Sequence, residues 1–282
     1  MSTSRINFNQ LRQENLKGTF AALERAFVNL DIRFYLIGAL ARDTWFADKG
    51  IRSLGTKDVD FAVLVGGQEN FDALKNFLVK TEKFTETSNE YTLRDLNGFE
   101  VDLFPFGVLN IEGKKIVDKE GLVRTDITGF REVYDEATIE VTFENQYTFR
   151  VASLAGIVIL KLIAWDDRPE MRSDDIRDIA AIMNNYFELE EQINYGQHID
   201  LFEEEFSNLR MLAGRVLGRE MAAIVAKNEL LKDRILSILD SNKTAMRHQL
   251  FILMFDNESP AFMEDQADLV TEIIKGIKEK LG

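Results

Sequence analysis

The sequence predicts an α+β protein in which a mixed β-sheet with flanking helices is followed by an all-α C-terminal domain. Three observations predict this class. Short apolar runs typical of strands, above all Phe34–Ile37 and Thr56–Val65, alternate with segments whose apolar residues recur at helical spacing. From Ala152 onward the helical spacing continues almost to the end of the chain. This change of pattern predicts two domains, residues 1–151 and 152–282.

The first domain is predicted to start with an amphipathic helix, because apolar residues recur at roughly helical spacing from Phe8 to Leu30. A strand at Phe34–Ile37, a helix at Ala39–Phe46 and a strand that ends at Val65 come next. The remaining predicted elements are, in chain order, a helix with Phe71, Leu74, Phe77 and Leu78 on its apolar face, short strands at Tyr91–Arg94 and Phe99–Phe104, and hairpins with turns at Glu112-Gly113 and Asn145-Gln146.

The second domain is predicted to be a set of helices. Each is marked by apolar residues at helical spacing. In chain order these helices are Leu154–Ile163, Ile176–Met183, Leu201–Leu217, Met221–Leu239, Met246–Phe255 and Phe262–Leu281.

Composition narrows the classes of function. The chain has 282 residues and carries 48 acidic against 34 basic side chains, a formal charge of −14, which disfavours an extensive nucleic-acid footprint. It has no cysteine, so thiolate chemistry is excluded, and its two distant histidines argue against a zinc site. No apolar run reaches the roughly 18 residues of a membrane span, and the N-terminus lacks the apolar core of a signal peptide. We therefore expect a cytoplasmic protein without membrane association.

Two aspartates interrupt the apolar strand that ends at Val65. Alternate residues of a strand face the same way, so Asp58 and Asp60 share one face while Val59, Phe61 and Val63 share the other. Like charges this close repel each other unless a cation lies between them, and carboxylate oxygens suit Mg²⁺ or Mn²⁺. We interpret the pair as half of a divalent-metal site.

Two further residues extend this site. Asp102 lies within its own apolar run, where it could supply a third carboxylate or act as the base toward an acceptor. Gly38 lies between a predicted strand and a predicted helix, where the backbone can approach a phosphate closely. The competing interpretations are a plain turn at Gly38, and an acid at a sheet edge or paired with an arginine.

Four motifs follow one another over roughly residues 30–185. The first three are Leu36-Ile37-Gly38-Ala39 with Arg42-Asp43, Asp58-Val59-Asp60-Phe61, and Val101-Asp102-Leu103. The fourth is a lysine on a helix followed by an arginine and a D-x-x-D pattern, at Lys161, Arg168, Asp175 and Asp178. As a set and in this order, the motifs resemble those of the nucleotidyltransferase superfamily of the DNA polymerase β type, and within it the chain is most similar to the AbiEii/AbiGii toxin family of bacterial toxin–antitoxin and phage-abortive systems. The resemblance implies a nucleotidyltransferase-like fold.

The resemblance implies a role for each matching residue. Asp58 and Asp60 would hold the metals, Asp102 would be the third carboxylate, Gly38 would lie against the nucleotide phosphates, and Lys161 would reach the triphosphate. The implied catalytic residues are thus Asp58, Asp60, Asp102 and Lys161, the implied metal ligands are the three aspartates, and the implied nucleotide contacts are Gly38, Ala39, Arg42, Lys161 and Asp175.

Structural alternatives stay open for the last three of these contacts. Lys161 is also compatible with a solvated position at the edge of an apolar helix, and Arg42 with an exposed helix position. Asp175 and Asp178 are also compatible with a solvated helix face paired with Arg172 and Arg177.

Two positions depart from the family pattern. Ala39 stands where a second glycine or a serine is usual, so only a backbone N–H contact is available there. Asp174 stands where a basic residue is frequent, which weakens any claim that this helix binds a polyanionic acceptor.

The leading hypothesis is a Mg²⁺- or Mn²⁺-dependent enzyme that moves NMP from an NTP to an acceptor and releases pyrophosphate, as the toxin of a toxin–antitoxin or phage-defence system. The acceptor could be tRNA, a protein or a small molecule, and the acidic balance argues mildly against tRNA. An antitoxin would be the partner protein. The rival hypothesis is a non-catalytic nucleotide-binding or partner-binding module with the same fold.

Overall fold

A computed structural model describes residues 4–52, 55–56, 58–107, 115–117, 123–190, 196–204, 206, 208–241 and 267–281. The chain divides into two compact units, residues 1–153 and 154–282. Within the described ranges, no helix is both long enough and apolar enough to cross a membrane.

The first unit combines strands and helices. Its strands are β1 (Ser4–Ile6), β2 (Arg33–Ile37), β3 (Asp58–Val65), β4 (Thr85–Glu86), β5 (Thr92–Arg94), β6 (Glu100–Gly107), β7 (Lys115–Val117), β8 (Val123–Asp126), β9 (Thr138–Phe143) and β10 (Tyr147–Ala152). Its helices are α1 (Leu16–Asn29), α2 (Gly38–Asp48), α3 (Gln68–Lys80) and α4 (Phe130–Glu136).

Eight of the strands described form one mixed sheet in the order β1-β9-β10-β2-β3-β6-β5-β4, and β7 pairs with β8 separately. Strands β3 and β6 are parallel, whereas β2 pairs antiparallel with β3 and β5 antiparallel with β6. The predicted mixed sheet is therefore confirmed, as is the hairpin around Asn145-Gln146, which joins β9 to β10. The other predicted turn, Glu112-Gly113, lies outside the described residues.

An aromatic core fixes which side of the sheet each residue of β3 faces. Phe61 is fully buried, and its ring packs against those of Phe20 and Phe27 on α1, with ring centroids 6.1 and 5.8 Å apart. Phe34 on β2 and Phe149 on β10 pack against the same ring, with both centroids 5.8 Å away. Since side chains alternate along a strand, burial of Phe61 on this face turns Asp60 to the other.

The second unit is helical, as predicted. Its helices are α5 (Leu154–Asp167), α6 (Ser173–Asn184), α7 (Tyr186–Leu189), α8 (Leu209–Val225), α9 (Glu229–Ser241) and α10 (Ala267–Leu281), with a 3₁₀ helix at Ile199–Glu203. The backbones of helices α8 and α10 approach closely. A Cβ on Gly218 would lie only 3.0 Å from the Cα of Gly276. This approach is available only to glycine at both positions.

Several predicted boundaries are wrong. Helix α1 begins at Leu16, and Phe8 and Leu11 before it are buried without being helical. Helix α8 begins at Leu209 rather than at the predicted Leu201, and it continues past Leu217, where the predicted helix ended, to Val225. Gly218 within it lies against the backbone of α10, so this glycine serves close packing and does not end the helix. The predicted helix Met246–Phe255 and the first part of Phe262–Leu281 lie outside the described residues.

Candidate active site

The junction between β2 and α2 lies against Asp60. Helix α2 begins at Gly38, whose φ of +69° is in the region that L-residues with side chains rarely adopt. A Cβ at this position would overlap Oδ2 of Asp60 and lie 2.9 Å from its Cγ. Glycine is therefore required here for two independent reasons, and the interpretation of Gly38 as a plain turn does not explain the contact with the carboxylate.

Four carboxylates lie in two cross-strand pairs on neighbouring parallel strands. Asp58 on β3 pairs in register with Glu100 on β6, and Asp60 pairs with Asp102. Cross-strand partners project to the same face, and adjacent strands are about 4.8 Å apart. Asp58 is exposed, whereas the other three are half-buried. The sheet thus presents a compact block of negative charge at the N-terminal ends of β3 and β6.

Strand β5 continues this face beyond Asp102. Thr92 pairs in register with Asp102, and its hydroxyl donates a hydrogen bond to Asp102 Oδ1. Arg94 pairs with Glu100, and its guanidinium lies 2.6 Å from Glu100 Oε1. Together these strands bound a pocket of about 390 Å³, lined by Asp58, Thr87, Ser88, Asn89, Thr92, Arg94, Glu100 and Asp102.

Arg42 and Asp43 form an ion pair on α2. The Arg42 Nε atom donates to Asp43 Oδ1 over 2.8 Å, and its guanidinium lies 5.8 Å from the centre of the Phe46 ring. Both residues are buried, so the alternative of an exposed position for Arg42 is wrong. Within the described part of the chain, the buried Oδ2 of Asp43 has no hydrogen-bond partner. Ala39, in the first turn of the same helix, is half-buried.

Lys161, Asp175 and Asp178 form a second charged cluster, which lies within the helical unit. Lys161 is only 7% exposed, and its Nζ lies 2.9 Å from Asp175 Oδ1 and 2.6 Å from Asp178 Oδ2. Arg172 Nη1 lies 3.8 Å from the other oxygen of Asp175. Both aspartates are buried, so a solvated helix face is wrong for them, as is a solvated position for Lys161.

A metal-ligand geometry is not preformed in the carboxylate block. Among the residues that the structure describes, no three acidic or histidine side chains converge closely enough to hold a metal ion. The donor set nevertheless has the chemistry of a Mg²⁺ or Mn²⁺ site, because it consists of carboxylates that share one sheet face. The absence of a Cβ at Gly38 lets the Asp60 carboxylate lie directly against the backbone at the start of α2.

Sequence reasoning missed Glu100, Thr92 and Arg94. Glu100 could have been found, because it precedes Asp102 by two residues as Asp58 precedes Asp60, and so has to share its face. Thr92 and Arg94 carry no comparable signal. Their place beside Asp102 and Glu100 depends on the antiparallel pairing of β5 with β6.

The sequence of this chain matches one family over residues 22–268, which include every candidate residue above. The family is described as the nucleotidyl transferase AbiEii toxin of type IV toxin–antitoxin systems. The chain belongs to this family. This AbiEii family member is therefore a nucleotidyltransferase, and the predicted resemblance is confirmed.

Solved structures with detectable likeness to this AbiEii family member are nucleotidyltransferases of distant sequence. The antibiotic-resistance factor ANT(2'')-Ia is 12% identical with a TM-score of 0.35, and the match covers 67% of this chain and 96% of that one. The Thermotoga maritima CCA-adding enzyme complexed with tRNA is also 12% identical, with a TM-score of 0.32 and coverage of 100% and 86%. A CCA-adding enzyme with ATP is 13% identical, with a TM-score of 0.31 and coverage of 95% and 82%. No curated protein matches the chain.

Proposed function

We propose that this chain transfers NMP from an NTP to an acceptor hydroxyl with release of pyrophosphate, and that the transfer acts as the toxic activity of a toxin–antitoxin pair. The main support for this proposal is the contact between Gly38 and the Asp60 carboxylate, with Asp102 next to Asp60 on the neighbouring strand. The end of β2, the start of α2 and two carboxylates meet there. A helix start favours phosphate groups, and carboxylates bind the divalent cation that accompanies a triphosphate.

The carboxylates fit a divalent cation, which we propose to be Mg²⁺ or Mn²⁺. Asp58, Asp60 and Asp102 would hold it through their oxygens, after side-chain rotations that bring them together. When bound, such an ion neutralises charge on the triphosphate and lowers the pKa of an attacking hydroxyl. Without it, the four clustered carboxylates repel one another across two strands.

The start of α2 is the proposed phosphate side of the site. The backbone N–H groups of Gly38 and Ala39 belong to the first turn of α2. They lie at the N-terminus of the helix, where unpaired N–H groups and the helix dipole favour anions. Ala39 offers no side-chain donor, so its contribution would be through the backbone alone. Arg42 is proposed as a phosphate contact only if its guanidinium leaves or shares its ion pair with Asp43.

Lys161 and Asp175 stay predicted nucleotide contacts that rest on the family motif. The Lys161 ammonium is already shared by two buried carboxylates. Any contact with a triphosphate must therefore compete with that pairing. The same bonds hold α5 to α6, so Lys161 also has a role in positioning these helices.

A transfer assay with a matched control tests the proposed function. The protein is incubated with α-³²P-labelled NTPs, Mg²⁺ or Mn²⁺ and a cell extract that supplies acceptors, and pyrophosphate release and labelled products are measured. We expect Asp58→Ala/Asp60→Ala to lose transfer by at least about 1,000-fold, in line with losses of catalytic charge stabilisation. The control Glu69→Ala/Asp72→Ala removes two exposed acids from α3 and should keep activity. Equal turnover by both double variants would refute the metal assignment.

The toxic role has its own readout. Induced expression of the wild-type chain should arrest bacterial growth, and the Asp58→Ala/Asp60→Ala variant should not, at equal protein level. Arrest by both proteins would separate toxicity from nucleotide transfer. Relief of the arrest by the product of an adjacent gene would identify the proposed antitoxin.

A further inference from the structure

The N-terminal segment, residues 4–15, lies outside residues 22–268, which match the family, and it is nevertheless packed into the first unit. Its strand β1 pairs parallel with β9 at the edge of the sheet. Phe8 is only 1% exposed, and its ring stacks on that of Phe143 with centroids 5.8 Å apart. The backbone N–H of Phe8 donates to Glu144 Oε1 over 2.8 Å. The segment therefore has a fixed place relative to the sheet.

Gln13 connects this segment to the loop before β3. Its backbone N–H donates to Phe8 O and its carbonyl accepts from Leu16 N, both over 2.9 Å, so its backbone is held from two sides. The side-chain Nε2 of Gln13 donates to Thr56 O over 2.5 Å. Both residues are half-buried, so water competes less for this hydrogen bond than it would at an exposed position. The loop is thus bonded to a segment that is itself anchored.

Thr56 passes this restraint on to Asp58. The Thr56 hydroxyl accepts from Asp58 N and donates to Asp58 O, each over 3.2 Å, in a local turn in which a threonine side chain bonds the backbone two residues on. Asp58 is the first residue of β3. Gly55, just before Thr56, has a φ of +74°, and a glycine gives a loop more conformational freedom when it is not restrained. The hydrogen bond from Gln13 therefore restricts the loop that leads into Asp58.

We propose that Gln13 is a positioning residue of the candidate site, and that it holds the loop before β3 so that the Asp58 carboxylate is in place for a divalent cation. The inference rests on the proposed function and adds to it a residue that none of the four motifs contains. A carboxylate that is ordered before the cation arrives loses less conformational freedom on binding, so the cation binds more tightly. Loss of one neutral hydrogen bond is expected to weaken such a linked equilibrium about two- to tenfold.

Titration calorimetry with Mn²⁺ on the full chain tests this role. Gln13→Met keeps the length of the side chain and removes its donor, and we expect its Kd for Mn²⁺ to rise about fivefold. Gln10→Met is the matched control. Gln10 lies in the same segment and its side chain also bonds a backbone group, accepting from Asn7 N over 2.7 Å, but that bond stays within the segment. Its Kd should equal that of wild type, and equal Kd values for the two variants would overturn the inference.

Two further readouts separate positioning from a general loss of stability. In the metal-free protein, amide hydrogen exchange of the peptide that contains Thr56 and Asp58 should be faster in Gln13→Met than in Gln10→Met. In the transfer assay, Gln13→Met should need about five times more Mn²⁺ for its half-maximal rate, while kcat at saturating Mn²⁺ stays within about twofold. A lower melting temperature with unchanged exchange and unchanged Mn²⁺ dependence would assign Gln13 a merely structural role.

Thr56→Val breaks the next contact and tests the inference even where Gln13→Met does not fold. It removes the hydroxyl that bonds Asp58 and leaves the carbonyl that Gln13 bonds. We expect a rise in the Mn²⁺ Kd of similar size. Because both contacts belong to one chain of hydrogen bonds, the double variant should bind less weakly than the product of the two single effects predicts. Fully multiplicative effects would show that Gln13 does not act through Thr56.

The outcomes separate this inference from the proposed function. Absence of saturable Mn²⁺ binding by the wild-type chain refutes the proposed cation site, and the inference falls with it. Saturable binding by wild type with an unchanged Kd in both Gln13→Met and Thr56→Val overturns the inference alone and leaves the cation site standing.

Discussion

The two charged clusters of this protein are built in opposite ways. On the sheet face, four carboxylates at Asp58, Asp60, Glu100 and Asp102 lie at partly exposed positions, and the Arg94 guanidinium is 2.6 Å from Glu100 Oε1. In the helical unit, two aspartates are balanced by a buried lysine, with a second cation, Arg172, 3.8 Å from one of them. The formal charges of the five side chains named for the first cluster sum to −3, and those of the four named for the second sum to zero.

This difference indicates what each cluster is for. Buried charges that are mutually paired are costly to separate, so such a cluster stabilises one arrangement of its helices. Partly exposed like charges instead destabilise the folded protein by mutual repulsion. Binding of a cation between them removes this repulsion and stabilises the folded protein. We therefore expect substitutions in the helical cluster to affect chiefly stability, and substitutions on the sheet face to affect chiefly binding and transfer.

The largest effect on stability is expected from Lys161→Met. It removes the ammonium between two buried carboxylates, and breaking a buried pair in this way costs about 3–5 kcal/mol. Urea unfolding followed by circular dichroism measures the change. Asp58→Asn, which removes a charge from the crowded sheet face, should change the free energy of unfolding by less than about 1 kcal/mol or increase it. Similar losses for both variants would remove the contrast between the clusters.

The next largest effect is expected from Gly38→Ala, with Gly50→Ala as its control. Both glycines have a φ of +69°, but a Cβ at Gly50 has no heavy atom within 4 Å, whereas one at Gly38 meets the Asp60 carboxylate. Each substitution should cost about 1–2 kcal/mol for the backbone conformation. Only Gly38→Ala should also lower nucleotide transfer, by about 100-fold, because it displaces Asp60. Equal activity of the two variants would show that the contact with Asp60 has no part in the reaction.

A smaller effect is expected at Thr92. Thr92→Val keeps the shape of the side chain but removes the hydroxyl that donates to Asp102. The transfer rate should fall about tenfold. The pH–rate profile should move to higher pH, because the carboxylate loses a hydrogen bond to its charged form. Thr92→Ser keeps the hydroxyl and should restore both. Loss of rate in the serine variant as well would assign the effect to packing.

The smallest effect concerns Asp200 in the helical unit. The Arg219 guanidinium donates to this carboxyl and lowers its pKa. A carboxyl whose pKa is lower in the folded state contributes stability above its unfolded pKa of about 4 and loses it as the pH falls through the folded value. Because Asp200 is largely exposed, the contribution should be below about 1 kcal/mol. Wild type should therefore melt at a slightly higher temperature than Asp200→Asn at pH 6, and the difference should shrink as the pH falls below about 4.

The sequence predicted the sheet-face cluster better than the buried one. Asp58 and Asp60 had to share a face because strands alternate, and Asp102 was noticeable as an acid within an apolar run. What could not be predicted is the register that places Asp102 beside Asp60, since parallel pairing joins strands that are distant in sequence. Thr92 was missed because its place beside Asp102 depends on the antiparallel register between β5 and β6.

The buried cluster shows a different limit of sequence reasoning. Lys161, Asp175 and Asp178 were identified by the family motif, but their spacing fits a solvated helix face as well as a buried one. Burial is decided by how α5 packs against α6, and the Lys161 bonds to both aspartates exist only in that packing. The burial of Arg42 could not be predicted from the sequence either. Its partner is its neighbour Asp43, and only the fold shows that both lie on a buried face of α2.

The central claim is that the sheet-face carboxylates hold a divalent cation, and titration calorimetry with Mn²⁺ alone tests it most directly. Wild type and the exposed-acid control Glu69→Gln/Asp72→Asn should bind Mn²⁺ with the same affinity. Asp58→Asn/Asp60→Asn, with an unchanged circular dichroism spectrum, should show no saturable binding. Binding of Mn²⁺ by this last variant with wild-type affinity would contradict the claim.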